Sequence, residues 1–175
     1  VDVRIAAKAS SIDEAHRLID PVEEEIRASL GSHIFAVDAE TIEQTVGKLL
    51  REKNKTVAVY EDITSGMVAE RAQEASPDHF LEGIIGGSSV ASVRRLLAHS
   101  RRAKESEVLL GEPERLVDEL AWAVRSYADA DYGLALHGIP DAGDMAENLA
   151  RGRMYLSVTD GKQFLTRSYN SAGRG

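Results

Sequence analysis

With 175 residues, 43% of them apolar, the chain is long enough to bury a real core in one or two compact units. Acidic residues outnumber basic ones 29 to 21 for a net charge of −8, which argues against general nucleic-acid binding, and the one short basic cluster (Arg94-Arg95, Arg101-Arg102, Lys104) is diluted by nearby glutamates. The lack of cysteine removes disulfides, thiolate nucleophiles and cysteine-held zinc or iron–sulfur centres, and is compatible with the reducing cytoplasm expected for this chain.

No apolar run approaches the roughly 20 residues of a membrane helix, and the N-terminus lacks the apolar core of a signal peptide. No membrane partner is therefore expected. Val1 in place of an initiator Met is what a fragment or a processed product would show.

Val1, Val3, Ile5 and Ala7 alternate with Asp2, Arg4 and Lys8, the period of a half-buried strand. Ser11-Ile-Asp-Glu14 is a capping box that opens a helix with Ile12, Ala15, Leu18, Ile19, Val22 and Ile26 on its apolar face; Pro21 should kink or split it, and Gly31 should end it. His33–Val37 reads as a second strand, so residues 1–37 form a small β-α-β unit. Residues 38–175 then make the larger domain.

A second capping box at Thr41–Gln44 starts a helix bearing Ile42, Val46, Leu49 and Leu50. Residues 56–60 are the next strand, 65–75 a helix, and Gly83–Gly86 a short buried strand. A helix is expected from Ser88 through Leu97, and another from Pro113 with Leu116, Val117, Leu120, Ala121 and Val124 buried. Trp122, on the same helix, is read as packing or interface surface.

"YGLALHG" (132–138) is strand-like and runs into a loop. Met154–Val158 and Gln163–Thr166 flank Asp160-Gly161, a pair suited to a two-residue hairpin turn. Strands alternating with helices, plus one antiparallel edge, give an α/β fold: a three-layer α/β/α sandwich with a mixed sheet, preceded by the small β-α-β unit.

"VEEEIRASLG", "TVGKLLREKNKTVAVYED", "FLEGII" and "YGLALHGI" follow one another as in the C-terminal part of CinA proteins, which is similar to the stand-alone nicotinamide mononucleotide deamidase PncC. The resemblance covers nearly the whole chain: residues 1–37 resemble part of the KH-like linking domain, and the rest resembles the deamidase domain. The larger N-terminal domain of full CinA lies outside the matched residues, and so does the helix that follows the hairpin in the family. The resemblance implies a sandwich fold, self-association into a homo-oligomer, no cofactor or metal, and hydrolysis of the carboxamide of a nicotinamide nucleotide by a serine that a lysine activates.

The family's functional residues are replaced here. The loop E-S-C-T-G-G is matched by Glu61, Asp62, Ile63, Thr64, Ser65 and Gly66, so the serine has become an aspartate. A later G-S-S segment, carrying the attacking serine, meets Pro77 beside Ser76. The stretch Y-S-N-x-x-K, which supplies tyrosine and the lysine base, meets Gly87, Ser88, Ser89, Val90, Ala91 and Ser92. T-G-I-A-G-P meets His137, Gly138, Ile139, Pro140, Asp141 and Ala142. Removing one member of a nucleophile–base unit typically costs several orders of magnitude in rate, and here the losses coincide.

The expected ligand-binding residues are accordingly Glu61, Asp62, Thr64, Ser65, Gly66, Ser88, Ser89, Ser92 and Gly138, around a cleft that has kept its shape and lost its chemistry. Thr64, Ser65 and Gly66 could cradle an anion through their N–H groups, although Asp62 would oppose one. Asp62 is read first as the N-cap of the following helix, and second as a new acid–base group. An active site of rearranged type would use Ser76 or Ser65 as nucleophile and His137 as base, while a structural reading makes His137 and the serines helix-capping or packing groups. The third possibility is a purely structural or partner-binding module.

Overall fold

The computed structural model describes residues 2–87, 90–138 and 152–170, and the chain divides into two compact units, Val1–Thr45 and Val46–Gly175. In the first unit, helix α1 (Ile12–Leu30) runs unbroken through Pro21. Its N-cap is Ser11, whose hydroxyl accepts from the Glu14 amide at 3.2 Å, while the Glu14 carboxylate reaches back to the Ser10 amide at 2.9 Å. The reciprocal bond of the capping box is thus made, but one residue earlier than the motif predicts.

The two strands expected around α1 are not formed. Residues 2–9 carry no ladder, and Gly31–His33 is a single 3₁₀ turn followed by backbone that joins no ladder. Alternating side chains record a preference for one buried face, but a strand exists only where a neighbour takes up its N–H and C=O groups. The expected β-α-β unit is, among the described residues, a helix whose flanks form no strand.

Helix α2 (Ile42–Lys53) has its capping box complete, with the Thr41 amide donating to Gln44 Oε1 at 3.0 Å and the Gln44 amide to Thr41 Oγ1 at 3.3 Å. In the second unit the elements are β1 (Val57–Glu61), α3 (Met67–Ala75), β2 (Phe80–Ile85), α4 (Val90–Leu97), a one-turn α5 (Ser106–Leu109), α6 (Pro113–Ala128), β3 (Tyr132–Gly138), β4 (Arg153–Thr159) and β5 (Phe164–Asn170). The sheet order is β2-β1-β3-β4-β5, with β1 parallel to both of its neighbours and the last two pairings antiparallel.

The pleat assigns alternate residues of β1 to opposite layers. Ala58 and Tyr60 join Ala135 and Tyr155 in the main core against Leu116, Val117, Leu120 and Val124 of α6, with Val93 and Leu97 of α4 behind. Glu61 faces the other way, toward α3. Unit 2 is therefore a three-layer α/β/α arrangement. β2, expected as a buried strand, is an edge strand with Leu81 and Ile85 exposed.

The hairpin is present with a longer loop than two residues, since Thr159 pairs with Phe164. Asp160 Oδ1 accepts from the Lys162 and Gln163 amides at 2.9 and 3.0 Å, and Gly161 takes the positive φ of +89°. A side chain that satisfies two amides stabilises the wider turn over the tighter one.

Candidate functional site

At the carboxyl end of β1 two adjacent carboxylates do different work. Glu61 is fully buried, and its carboxylate accepts from the Ala69 amide at 2.8 Å, the Val68 amide at 3.2 Å and the Thr64 hydroxyl. A negative group there also suits the positive end of the α3 dipole. The Val68 and Ala69 amides in the first turn of α3 are thus held by the protein's own carboxylate, which takes the Thr64 hydroxyl as well. Ser65 and Gly66 both adopt positive φ, +55° and +96°, and Gly66 stands at the helix entry without a side-chain cap.

Asp62 does not cap α3, which corrects the first reading of that residue. One position along the pleat from Glu61, its carboxylate turns to β3. Oδ2 lies 2.6 Å from His137 Nδ1 and accepts from the Tyr60 hydroxyl at 3.3 Å, while Oδ1 accepts from the Gly138 amide at 3.0 Å. The Asp62 amide completes the junction by donating to the Leu136 carbonyl. The two side chains are largely enclosed, with 14% of His137 and 8% of Asp62 exposed.

Burial, reinforced by the Asp62 charge and the hydrogen bond to it, pushes the Tyr60 phenol well above its ordinary range, so it remains a donor. Close approach fixes two glycines in this corner. A Cβ on Gly138 would sit 2.0 Å from Ile63 Cδ1, and one on Gly86 would sit 2.3 Å from the Tyr60 oxygen. Tyr60 and Gly86 were not singled out from sequence; the parity that places Tyr60 on the same face as Asp62 was the available signal.

The location is chemically apt. From β1 the chain crosses one face through α3 to β2, then returns over the other face through α4 to α6 to reach β3. The carboxyl ends of β1 and β3 therefore form the point where successive connections diverge, the usual ligand crevice of an open α/β sheet. Asp62, His137 and Gly138 line that point.

Ser76 is elsewhere. It ends α3 at the amino end of the parallel strands, where its carbonyl accepts from the His79 and Phe80 amides and Phe80 pairs with Val57. His137 follows Leu136, which pairs with Glu61 at the other end of β1. The length of β1, about 13 Å for five residues, separates them, so the structure does not bring Ser76 and His137 together. The Ser76 hydroxyl is buried and has no partner among the described residues. Ser92 Oγ accepts from the Gly87 amide at 3.2 Å, while Ser88 and Ser89, like Ile139 to Arg151, lie outside the described residues.

A separate concavity of about 440 Å³ lies between α3 and β2, lined by Gly66, Ala69, Phe80, Leu81, Gly83 and Ile85 among others; Asp62 and His137 are not part of it. Among the described residues no group of three or more His, Asp or Glu side chains is placed to hold a metal ion, and no helix is long and apolar enough to cross a membrane.

Residues 39–174 match the CinA C-terminal domain, and residues 1–36 match the KH domain of the damage-inducible protein CinA. The chain belongs to the CinA family. CinA-like proteins of Acaryochloris marina and Synechocystis are 34% and 32% identical over 161 and 162 residues. These matches cover 90% and 91% of this chain and 37% and 38% of the relatives, so it spans well under half of their length. Among solved structures, a competence/damage-inducible protein of Agrobacterium tumefaciens superposes with TM-score 0.65 at 17% identity, covering 81% of this chain and 86% of that one. A CinA superfamily protein of Escherichia coli gives TM-score 0.62 at 19% identity, with 82% and 86% covered. At such identities these two structures speak to the fold and not to its chemistry.

Proposed function

We propose that this CinA-family chain is a divergent relative of the nicotinamide-nucleotide amidohydrolases, one that keeps a small-ligand cleft at the carboxyl ends of β1 and β3 but not the serine–lysine chemistry. One observation carries the reading. The serine of the family's E-S-C-T-G-G loop is matched by Asp62, whose carboxylate is committed to Tyr60, His137 and Gly138, and the segment that carries the attacking serine meets Pro77. The matched lysine position is Ser92, whose hydroxyl accepts from Gly87. Lys55, the lysine next to β1 in sequence, is ion-paired to Asp131 at 2.7 Å at the opposite end of the strand.

The ligand side of the proposal follows from charge. With Glu61 occupying the helix end and Asp62 adding a second carboxylate, the crevice favours a neutral or cationic ring over a bare anion. Asp62, Thr64, Ser65 and Gly66, with Gly138 and the segment containing Ser88, Ser89 and Ser92, are proposed to surround it. Self-association and a cytoplasmic setting belong to the same reading.

Calorimetric titration with nicotinamide mononucleotide, nicotinamide and related ring compounds tests it. Saturable binding that Asp62→Ala or His137→Ala weakens supports the cleft. No binding by any of these compounds would favour a structural or partner-binding module instead.

A further inference from the structure

The Asp62–His137 pair is more than a packing contact, and we infer that it is a general-base couple that activates water at the carboxyl ends of β1 and β3. The inference rests on the reading of those strand ends as a ligand cleft, but it adds a reaction class, hydrolysis at a carbonyl carbon, and a residue to carry it.

The geometry supplies what such a base needs. A base must be oriented and its tautomer fixed by a second group on its other nitrogen. The Asp62 carboxylate 2.6 Å from Nδ1 requires a proton on that nitrogen, which leaves Nε2 of the neutral ring as an acceptor. Asp62 is itself held by the Tyr60 hydroxyl and the Gly138 amide, so it cannot rotate away without losing two further bonds. Each of those anchors sits on a strand of the sheet, and rigid elements position a site better than loops do. The His137 side chain is 14% exposed and that of Asp62 8%. In the proposed couple the imidazole meets the water and the carboxylate acts through it; Asp62 is a positioning residue.

In the described residues the hydrogen bonds of the couple run to Tyr60 and Gly138 and not to a serine, and the proposed step takes water as the attacking group. In the step, the water oxygen bonds to the carbonyl carbon while its proton passes to His137 Nε2. The imidazolium then returns that proton to the departing oxygen or nitrogen as the carbon–leaving-group bond breaks. The products are the carboxylic acid and the protonated leaving group, with no oxidant or further reactant required.

The test uses p-nitrophenyl acetate, an activated ester that reports a base without requiring the true ligand to be known. Wild type, His137→Gln and Asp62→Asn are compared over the same protein concentrations, in H₂O and D₂O. The expected result is turnover that slows in D₂O and falls by about 100-fold in His137→Gln, toward the background set by the remaining histidines. Asp62→Asn should fall as well, and ¹⁵N spectra should show its His137 ring losing the Nδ1–H form, a change that a merely structural contact would not tie to rate. Turnover unaffected by His137→Gln overturns the inference. So does a wild-type rate that is unchanged in D₂O, because that marks direct attack by the imidazole. If His137→Gln does not fold, the wild-type isotope effect and the wild-type tautomer decide alone. Binding measured by calorimetry without ester turnover defeats the water-activating role and leaves the cleft standing.

Discussion

The Glu61 carboxylate accepts a 2.8 Å hydrogen bond from the Ala69 amide, so helix α3 is capped by the last residue of the strand before it rather than by its own loop. The strand, the loop and the helix are joined through one buried side chain. Replacing it shows how much that junction is worth.

Glu61→Ala should leave the Val68 and Ala69 amides without their acceptor in a site that is fully enclosed. A loss of about 2–3 kcal/mol is expected, from the helix cap and the orphaned buried donors together. Glu61→Gln, which keeps one acceptor oxygen, should lose less. Urea unfolding monitored by far-ultraviolet circular dichroism measures both, with the slope unchanged if only stability moves.

Asp62→Ser restores the family residue at its matched position, yet it should not restore deamidation of nicotinamide mononucleotide. The segment that carries the attacking serine still meets Pro77 and the lysine position is still Ser92, so the substitution restores neither nucleophile nor base. The same substitution releases His137 from its 2.6 Å partner and should abolish ester turnover by that histidine. Ammonia release and ester hydrolysis, measured on one preparation, separate the two effects.

Gly138→Ala should destabilise the fold by about 1–3 kcal/mol, since the added methyl would sit 2.0 Å from Ile63 Cδ1. Ile63→Ala should recover part of the loss when combined with it, because the clash partner is then shortened. Thermal unfolding of the two single variants and the double variant gives the coupling directly.

Arg101 lies over the rings of Trp122 and Phe164, 5.6 and 5.0 Å from their centroids, and pairs with buried Glu119 at 2.7 Å. Trp122, expected as packing or interface surface, thus takes part in an intramolecular contact. Arg101→Ala should cost more than Arg101→Ala combined with Glu119→Ala, because the single change strands a buried carboxylate. The half-exposed arginine keeps the single loss at about 1–3 kcal/mol. Denaturant midpoints of the three variants check the order.

Lys55 and the Thr56 amide hold the Asp131 carboxyl below the ordinary carboxylate range. A folded-state value lower than the unfolded one means that this contribution is complete above about pH 4–5 and disappears as pH falls through the folded value. The stability advantage of wild type over Asp131→Asn should therefore be present at neutral pH and shrink under acid. Parallel pH titrations of the denaturant midpoint measure it.

Much of the second unit was legible in the sequence because its signals are local. Pro113 at the first turn of α6 and the apolar run at 132–138 each reappear where they were expected. The first unit shows where local signals end: the alternation of residues 1–7 states a preference that pairing alone could realise, and the described residues offer no ladder there. At the site, Glu61 was placed among ligand contacts and Asp62 at the helix cap, whereas the pleat gives the cap to Glu61 and turns Asp62 to a histidine 75 positions away. Such a pairing depends on which strands are neighbours, and no window along the chain contains it. The Ser76–His137 pairing failed for the same reason, since the two residues occupy opposite ends of the parallel strands.

Ammonia release from nicotinamide mononucleotide, measured side by side for this protein and an active family deamidase, bears most directly on the claim that the serine–lysine chemistry has been replaced. A rate lower by several orders of magnitude is predicted, as expected when a nucleophile and its base are both gone. A rate equal to that of the active deamidase would contradict the account.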